Sequence, residues 1–228
     1  VHLRVHSYFS LSEGMLSFDY LSEFCKKNNQ PAIAITDTSN MFGVLEFSIE
    51  MVSNGIQPII GIQVNISGVT NLDNSIGEVV LIAKNEIGYK NLLVLTSKLS
   101  NNSEFDKFIN YEDLKNYRDG IILLTGGIEN GFVGKPASLG NIKLVNERLG
   151  VLKELFEDNL YIELQRHGIK SQINAEKILL DASENFDLPL VATNDCFFEN
   201  ENKFNAHQVL TCIDKVFNLF IFLSLIHI

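Results

Sequence analysis

The chain is poor in cysteine: Cys25, Cys196 and Cys212 are its only three in 228 residues, far apart and in no CxxC pair. That excludes a disulfide framework and a zinc knuckle, and fits a reduced, cytoplasmic protein. Basic residues are scarce too. Eighteen Lys and Arg against 28 Asp and Glu give a formal charge of −10, so the surface as a whole repels a phosphate backbone. Lys26-Lys27 is too short a run to make a nucleic-acid patch. No GxSxG elbow occurs, which leaves a serine hydrolase without support. The nearest glycine-rich turn, Gly126-Gly127-Ile128-Glu129-Asn130-Gly131, matches neither GxGxxG nor a P-loop and reads as a plain turn. Neither a secretory signal nor an initiator Met opens the chain, so its natural start is expected upstream. The one long apolar run, residues 216–228, reads VFNLFIFLSLIHI. A spanning helix needs roughly 17–25 residues, so no membrane segment is expected. Its last six residues resemble a translated transposon-type sequencing adapter, and 214–228 is expected to be a read-through artefact to which no function is given, the alternative being a genuine apolar helix or strand end.

What is present is ordinary globular material, 46% hydrophobic and 20% charged, with ample length for a core. Short apolar runs, several of them β-branched, predict strands over 2–6, 32–36, 58–66, 79–83, 120–125, 160–165 and 188–193. Between them the spacing predicts helices over 18–27, 42–53, 87–99, 139–156, 171–186 and 200–211. The first would gather Leu21, Phe24 and Cys25 on one side, the second Leu45, Ile49 and Val52. Asn29-Gln30-Pro31 and Asn54-Gly55 punctuate helix ends, and 68–77 and 101–107 read as loops. The alternation predicts one α/β domain whose parallel sheet is closed or nearly closed.

Four turns carry the candidate chemistry: His2-Leu3-Arg4-Val5-His6-Ser7, Ile35-Thr36-Asp37-Thr38-Ser39-Asn40, Ile60-Gly61-Ile62-Gln63 and Ala192-Thr193-Asn194-Asp195-Cys196-Phe197. Each follows or ends a strand candidate, where β/α folds collect functional groups. The even spacing of His2 and His6 puts both on one face of a strand. A metal would need two more ligands, from His167, Asp37, Asp195 or Glu13. A lone His after a strand, such as His167, is more often a hydrogen-bonded structural residue. Cys196 has no His beside it in sequence and reads as a buried small residue.

The runs VHLRVHSYFSLSEG, PAIAITDTSNMFGVLEF, GIQPIIGIQVNI, VVLIAKNEIGYKNL, LYIELQRHGI, LVATNDCFFEN and AHQVLTCI occur in this order. Together they resemble the N-terminal polymerase-and-histidinol-phosphatase (PHP) domains of bacterial replicative DNA polymerase III alpha subunits, over about residues 1–213. The resemblance implies a distorted (β/α)7 TIM-like barrel of about seven parallel strands, with a metal cluster at its C-terminal mouth in active members. Nine positions of that cluster fall on Arg4, His6, Glu13, Thr38, Gln63, Glu78, Gly127, Asp195 and Phe197. Five of them, Arg4, Thr38, Gln63, Gly127 and Phe197, hold residues that serve a metal poorly or not at all. If any ion bound, His6, Glu13 and Asp195 would hold it; otherwise Arg4 is expected to stand in as the cation, paired with Asp195, Glu13 or Glu78. Phe197 and Phe198 read as plugs rather than base-stacking platforms, and His207 as a packing or capping residue.

On this resemblance the chain is a fragment of a DNA-directed DNA polymerase, a nucleotidyltransferase of DNA replication. Its metal site is degenerate, and its role is structural, docking a proofreading exonuclease subunit. The implied partners are the rest of the alpha chain, that subunit, and DNA through the parent protein. No cofactor is expected here; magnesium would belong to the parent's polymerase site. The alternative is a metal-dependent phosphoesterase, or a proofreading 3′–5′ exonuclease in cis, using zinc or manganese on His6, Glu13, Glu78, His167 and Asp195.

Overall fold

The computed structural model describes residues 1–68, 76–101 and 108–214. The tail 216–228 lies outside them, as does most of the two loop segments 68–77 and 101–107.

Strands β1 (Ala32–Ile35), β2 (Gln57–Ser67), β3 (Gly77–Ala83), β4 (Ile109–Asn110), β5 (Ile121–Leu124), β6 (Leu160–Leu164) and β7 (Leu190–Ala192) form one curled sheet. Its order is β1-β2-β3-β5-β6-β7, with β4 against the end of β2. Helices α1 (Phe18–Lys27), α2 (Val44–Ser53), α3 (Glu86–Asn101), α4 (Tyr111–Asn116), α5 (Gly134–Ser138), α6 (Ile142–Phe156), α7 (Lys170–Phe186) and α8 (Phe204–Asp214) intervene or follow. Local sequence explains several boundaries. Ser17, Asn110 and Asn141 each accept a backbone N–H from the first turn of α1, α4 and α6. In α1, Asp19 opens the helix and Lys26-Lys27 close it, matching its dipole.

Residues 2–6 do not form a regular strand. They are instead the seam that closes the sheet. On one side Ala34 N donates to His2 O and Thr36 N to Val5 O, each at 2.9 Å. On the other, Val5 bridges Cys196, with His6 N donating to Cys196 O at 2.9 Å and Cys196 N to Arg4 O at 3.1 Å. The TIM-like α/β architecture is present, but the all-parallel sheet is not: β3 runs antiparallel to both β2 and β5. The direct link from β2 to β3 has no room for a helical crossover, so the chain returns as a hairpin-like pair.

Side-chain alternation divides the sheet. Glu78, Val80 and Ile82 share one face of β3, as Tyr161 and Glu163 do on β6. Val80, Ile82 and Leu124 pack there with Leu3, Ile59, Tyr161 and Val191 as an apolar floor. The opposite face meets α3, α6 and α7 through Leu81, Leu92, Leu123, Leu149, Ile162 and Leu179. A second apolar layer joins β1 to α1 and α2 through Ile33, Ile35, Leu21, Phe47 and Met51.

Two sequence expectations about helix faces fare differently. On α1, Leu21 and Cys25 are buried and Phe24 half-buried. On α2, Leu45, Ile49 and Val52 face solvent, while Val44, Phe47 and Met51 are buried. This helix carries apolar residues on both sides, so periodicity alone could not choose its inner face.

Candidate functional site

Arg4 lies at the rim of the floor, 2% exposed, with its guanidinium turned into the mouth. Nη1 donates to Glu163 Oε1 at 3.1 Å and Nη2 to Gln63 Oε1 at 2.5 Å. Nη2 also stands 3.0 Å from Asp195 Oδ2 and 3.5 Å from Glu78 Oε2. These partners come from β2, β3, β6 and the turn after β7, so one planar cation ties together four parts of the ring. Glu163 is buried as well, and its Oε1 additionally accepts from Thr193 Oγ1 at 2.5 Å and Gln165 Nε2 at 3.0 Å. Sequence reasoning missed Glu163; the signal was an acid inside the apolar run of β6, which burial on both faces makes costly unless it is paired.

His6 lies beside this cluster. Its Nε2 is 2.9 Å from Asp195 Oδ1, and its Nδ1 is 3.2 Å from Ser10 Oγ. Thr38 Oγ1 donates to Glu13 Oε2 at 2.6 Å and lies 3.4 Å from His6 Nδ1. Asp195 and the Thr38–Glu13 pair therefore meet opposite edges of the imidazole, so His6, Glu13 and Asp195 do not converge on one point. Glu13 is also not an Arg4 partner. Phe197 stacks on the His6 ring with centroids 4.3 Å apart and planes 14° from parallel. His207 Nε2 bonds Glu13 O at 2.8 Å and its ring lies 4.8 Å from that of Phe198. Asp37 accepts from Ser7 N, Ser7 Oγ and Ser10 Oγ at 2.7–2.8 Å, which stitches the first turn to β1 and engages both hydroxyls.

The remaining candidates scatter. His2 does not join His6: it packs on Phe24 with centroids 5.7 Å apart and lies 3.7 Å from Cys196 Sγ. The even spacing fails because the seam is not a regular strand. His167 is exposed and bonded to Gln172. Gly127 supplies no donor, and a Cβ there would stand 2.4 Å from Gln165 Oε1. Arg4, Glu78, Gly127, Gln165, His167 and Asp195 help line a cavity of about 190 Å³ at the mouth. Among the described residues no group of three His, Cys, Asp or Glu is placed to hold a metal ion.

Electrostatics follow from this packing. Burial works against the charge on Arg4, but Glu163, Asp195 and Glu78 hold its pKa above the ordinary value. Burial also opposes ionisation of Asp195, yet the His6 hydrogen bond and Arg4 hold its pKa below the usual 3.8. Glu78 goes the other way: burial, with Asp195 and Glu13 adding to it, raises it above 4.5 despite Arg4. Cys196 is pushed up to about 11 by burial and then by Asp195, so it is a thiol at neutral pH and no nucleophile.

Opposite signs give a test. The stability contributed by Asp195 is present above 3.8 and lost as pH falls below it. Ionising Glu78 costs stability as pH rises from 4.5 through its folded value. Glu78→Gln is therefore expected to leave the thermal midpoint unchanged or higher at pH 7. Asp195→Asn should lower it at pH 7 and flatten the acid limb below 3.8. A clear loss of stability in Glu78→Gln at pH 7 would contradict this account.

A profile of the PHP domain family matches residues 2–167. DNA polymerase III subunit alpha of Haemophilus influenzae is 34% identical over 220 residues, which is 96% of this chain and 19% of that protein. The same subunit of Caulobacter vibrioides is 35% identical over 219 residues, 93% of this chain and 19% of that one. The chain thus spans about a fifth of the length of these relatives. Among solved structures, a protein described as a candidate metal-dependent phosphoesterase from Bifidobacterium adolescentis superposes with a TM-score of 0.53 at 13% identity, over 86% of this chain and 87% of that one. An amidohydrolase from Chromobacterium violaceum gives 0.54 at 13% identity and the same coverage. At that identity the two speak to the fold alone. Among the described residues no helix is long and apolar enough to cross a membrane.

Proposed function

The chain belongs to the PHP domain family, and on that premise we propose that it is the N-terminal PHP region of a replicative DNA polymerase III alpha subunit, whose metal site has been replaced by an arginine-centred ion-pair network. In this reading the domain is structural. It steadies the polymerase chain and offers a docking face to a proofreading exonuclease subunit, while magnesium-dependent nucleotidyl transfer belongs to the parent protein beyond these residues. The observation that carries the reading is the guanidinium of Arg4. It stands among Gln63, Glu78, Glu163 and Asp195, where divalent metal would need anionic or neutral donors. A fixed positive charge repels such an ion, and these carboxylates are already engaged. The donor set does not fit a zinc or manganese cluster, so no hydrolytic step is derived through one. The length of the relatives supports the rest of the alpha chain as partner; the proofreading subunit follows from the family resemblance.

The test is elemental analysis of the purified chain after dialysis against zinc and manganese. The expected result is well under one ion per chain. Stoichiometric metal, with metal-dependent release of phosphate or of nucleotides from a single-stranded 3′ end, would sink this reading in favour of a phosphoesterase or cis-proofreading domain.

A further inference from the structure

Helix α2 is apolar on the side it buries and on the side it exposes. Phe42 just before it, and Leu45, Ile49 and Val52 on it, are 67%, 73%, 63% and 64% exposed. Steps of four and three residues set Leu45, Ile49 and Val52 in one seam along the helix, with Phe42 just ahead of its N-terminal end. Single exposed apolar residues are ordinary, but a contiguous seam marks a contact surface. Beside it runs a groove of about 290 Å³ lined by Phe18, Asp19, Leu45, Glu46, Ile49 and Glu50. Its polar rim is purely acidic. Glu46 accepts from the Tyr8 hydroxyl and Glu50 from Ser22 and Asn54. Among the described residues no Lys or Arg forms an ion pair with Asp19, Glu46 or Glu50.

That combination selects the occupant. A second copy would bring its own acidic rim, from a chain of net charge −10, against this one. An anionic membrane or nucleic acid would be repelled in the same way. An amphipathic helix with apolar anchors every three to four residues and flanking Lys or Arg satisfies both seam and rim. We propose that the outward face of α2, Phe42-Leu45-Ile49-Val52 with its Asp19, Glu46 and Glu50 rim, is a docking site for a basic amphipathic helix of a separate partner protein. The proposal deepens the scaffold reading and rests on it. It is tested in chelator, so metal content and peptide capture can fail separately.

The probe is a synthetic helical peptide of about 18 residues, long enough to span the seam, with leucines at heptad core positions and Lys and Arg elsewhere. Its binding to the full chain is followed by fluorescence anisotropy. The expected result is saturable binding, weakened about tenfold, or about 1.4 kcal/mol, by Ile49→Glu and by Leu45→Glu. Both residues face solvent, so each variant should keep the parent melting temperature. Glu46→Gln with Glu50→Gln should weaken binding and reduce its salt dependence, and a glutamate analogue with the same leucines should not bind. Absence of binding, equal binding by Ile49→Glu and Leu45→Glu, or equal binding of the glutamate analogue would overturn the proposal. So would sedimentation showing a dimer that Ile49→Glu dissolves, which would assign the face to a second copy.

Discussion

Arg4→Ala is expected to destabilise the fold by about 3–5 kcal/mol, the range for removing one partner of a buried ion pair. For a chain of this size that lowers the thermal midpoint by roughly 10–15 °C. Arg4 is 2% and Glu163 1% exposed, so solvent can do little to screen the carboxylate left behind. Glu163 would keep Thr193 and Gln165 as donors to Oε1, but its Oε2 is buried without a hydrogen-bond partner. Asp195 and Glu78, about a quarter exposed, would face it across the same space. The loss reflects uncompensated charge rather than the net worth of the pair. Pairing Arg4→Met with Glu163→Gln should therefore recover part of it. Calorimetry checks this, and a loss for Arg4→Ala within the surface-pair range of about 0–1 kcal/mol would mean that the network does not hold the ring.

Arg4→His should behave differently from Arg4→Ala once zinc is added. The substitution removes the cation and brings a second imidazole to the mouth, two residues before His6. Asp195 already lies 2.9 Å from His6 Nε2, and Glu163 would lose its guanidinium partner. Two imidazoles and two carboxylates suit zinc. Without metal the variant should melt far below the parent. With zinc at 100 times its dissociation constant it should regain about 2.7 kcal/mol, a rise of roughly 5–10 °C. The parent chain and Arg4→Ala should show no comparable shift. An equal zinc response in the parent would count against a displaced metal site.

The sequence marked helices well where caps and periodicity agreed. Residues 18–27 form α1 as read, because Ser17, Asp19 and Lys26-Lys27 give that segment both a start and an end. It did not show which side of α2 faces in, since Leu45, Ile49 and Val52 are as apolar as Val44, Phe47 and Met51. It did not show the reversal of β3, because a strand buried on both faces has the same composition in either direction. The short elements α4, α5 and β4 were also beyond a periodicity reading, which needs more than a turn or two to register.

At the mouth the division is similar. Arg4, His6, Gln63 and Asp195 could be named from the turns that carry them, and Glu78 from the family resemblance. Glu163 was missed: an acid inside the apolar run of β6 signals a buried, paired carboxylate, but its partner Arg4 lies 159 residues away in the chain. The sequence by itself determined the alternation of strand and helix, the acidic surface, and the presence of arginine, threonine, glutamine and phenylalanine in the candidate turns. Only the tertiary structure decided that residues 2–6 close the ring and that His2 turns away from His6. It also decided that Asp195 and Thr38 meet opposite edges of one imidazole, with Glu13 held behind Thr38, and that Glu163 completes the arginine network. Those outcomes depend on contacts between segments up to 194 residues apart, and spacing along the chain carries no information about the direction from which a distant side chain arrives.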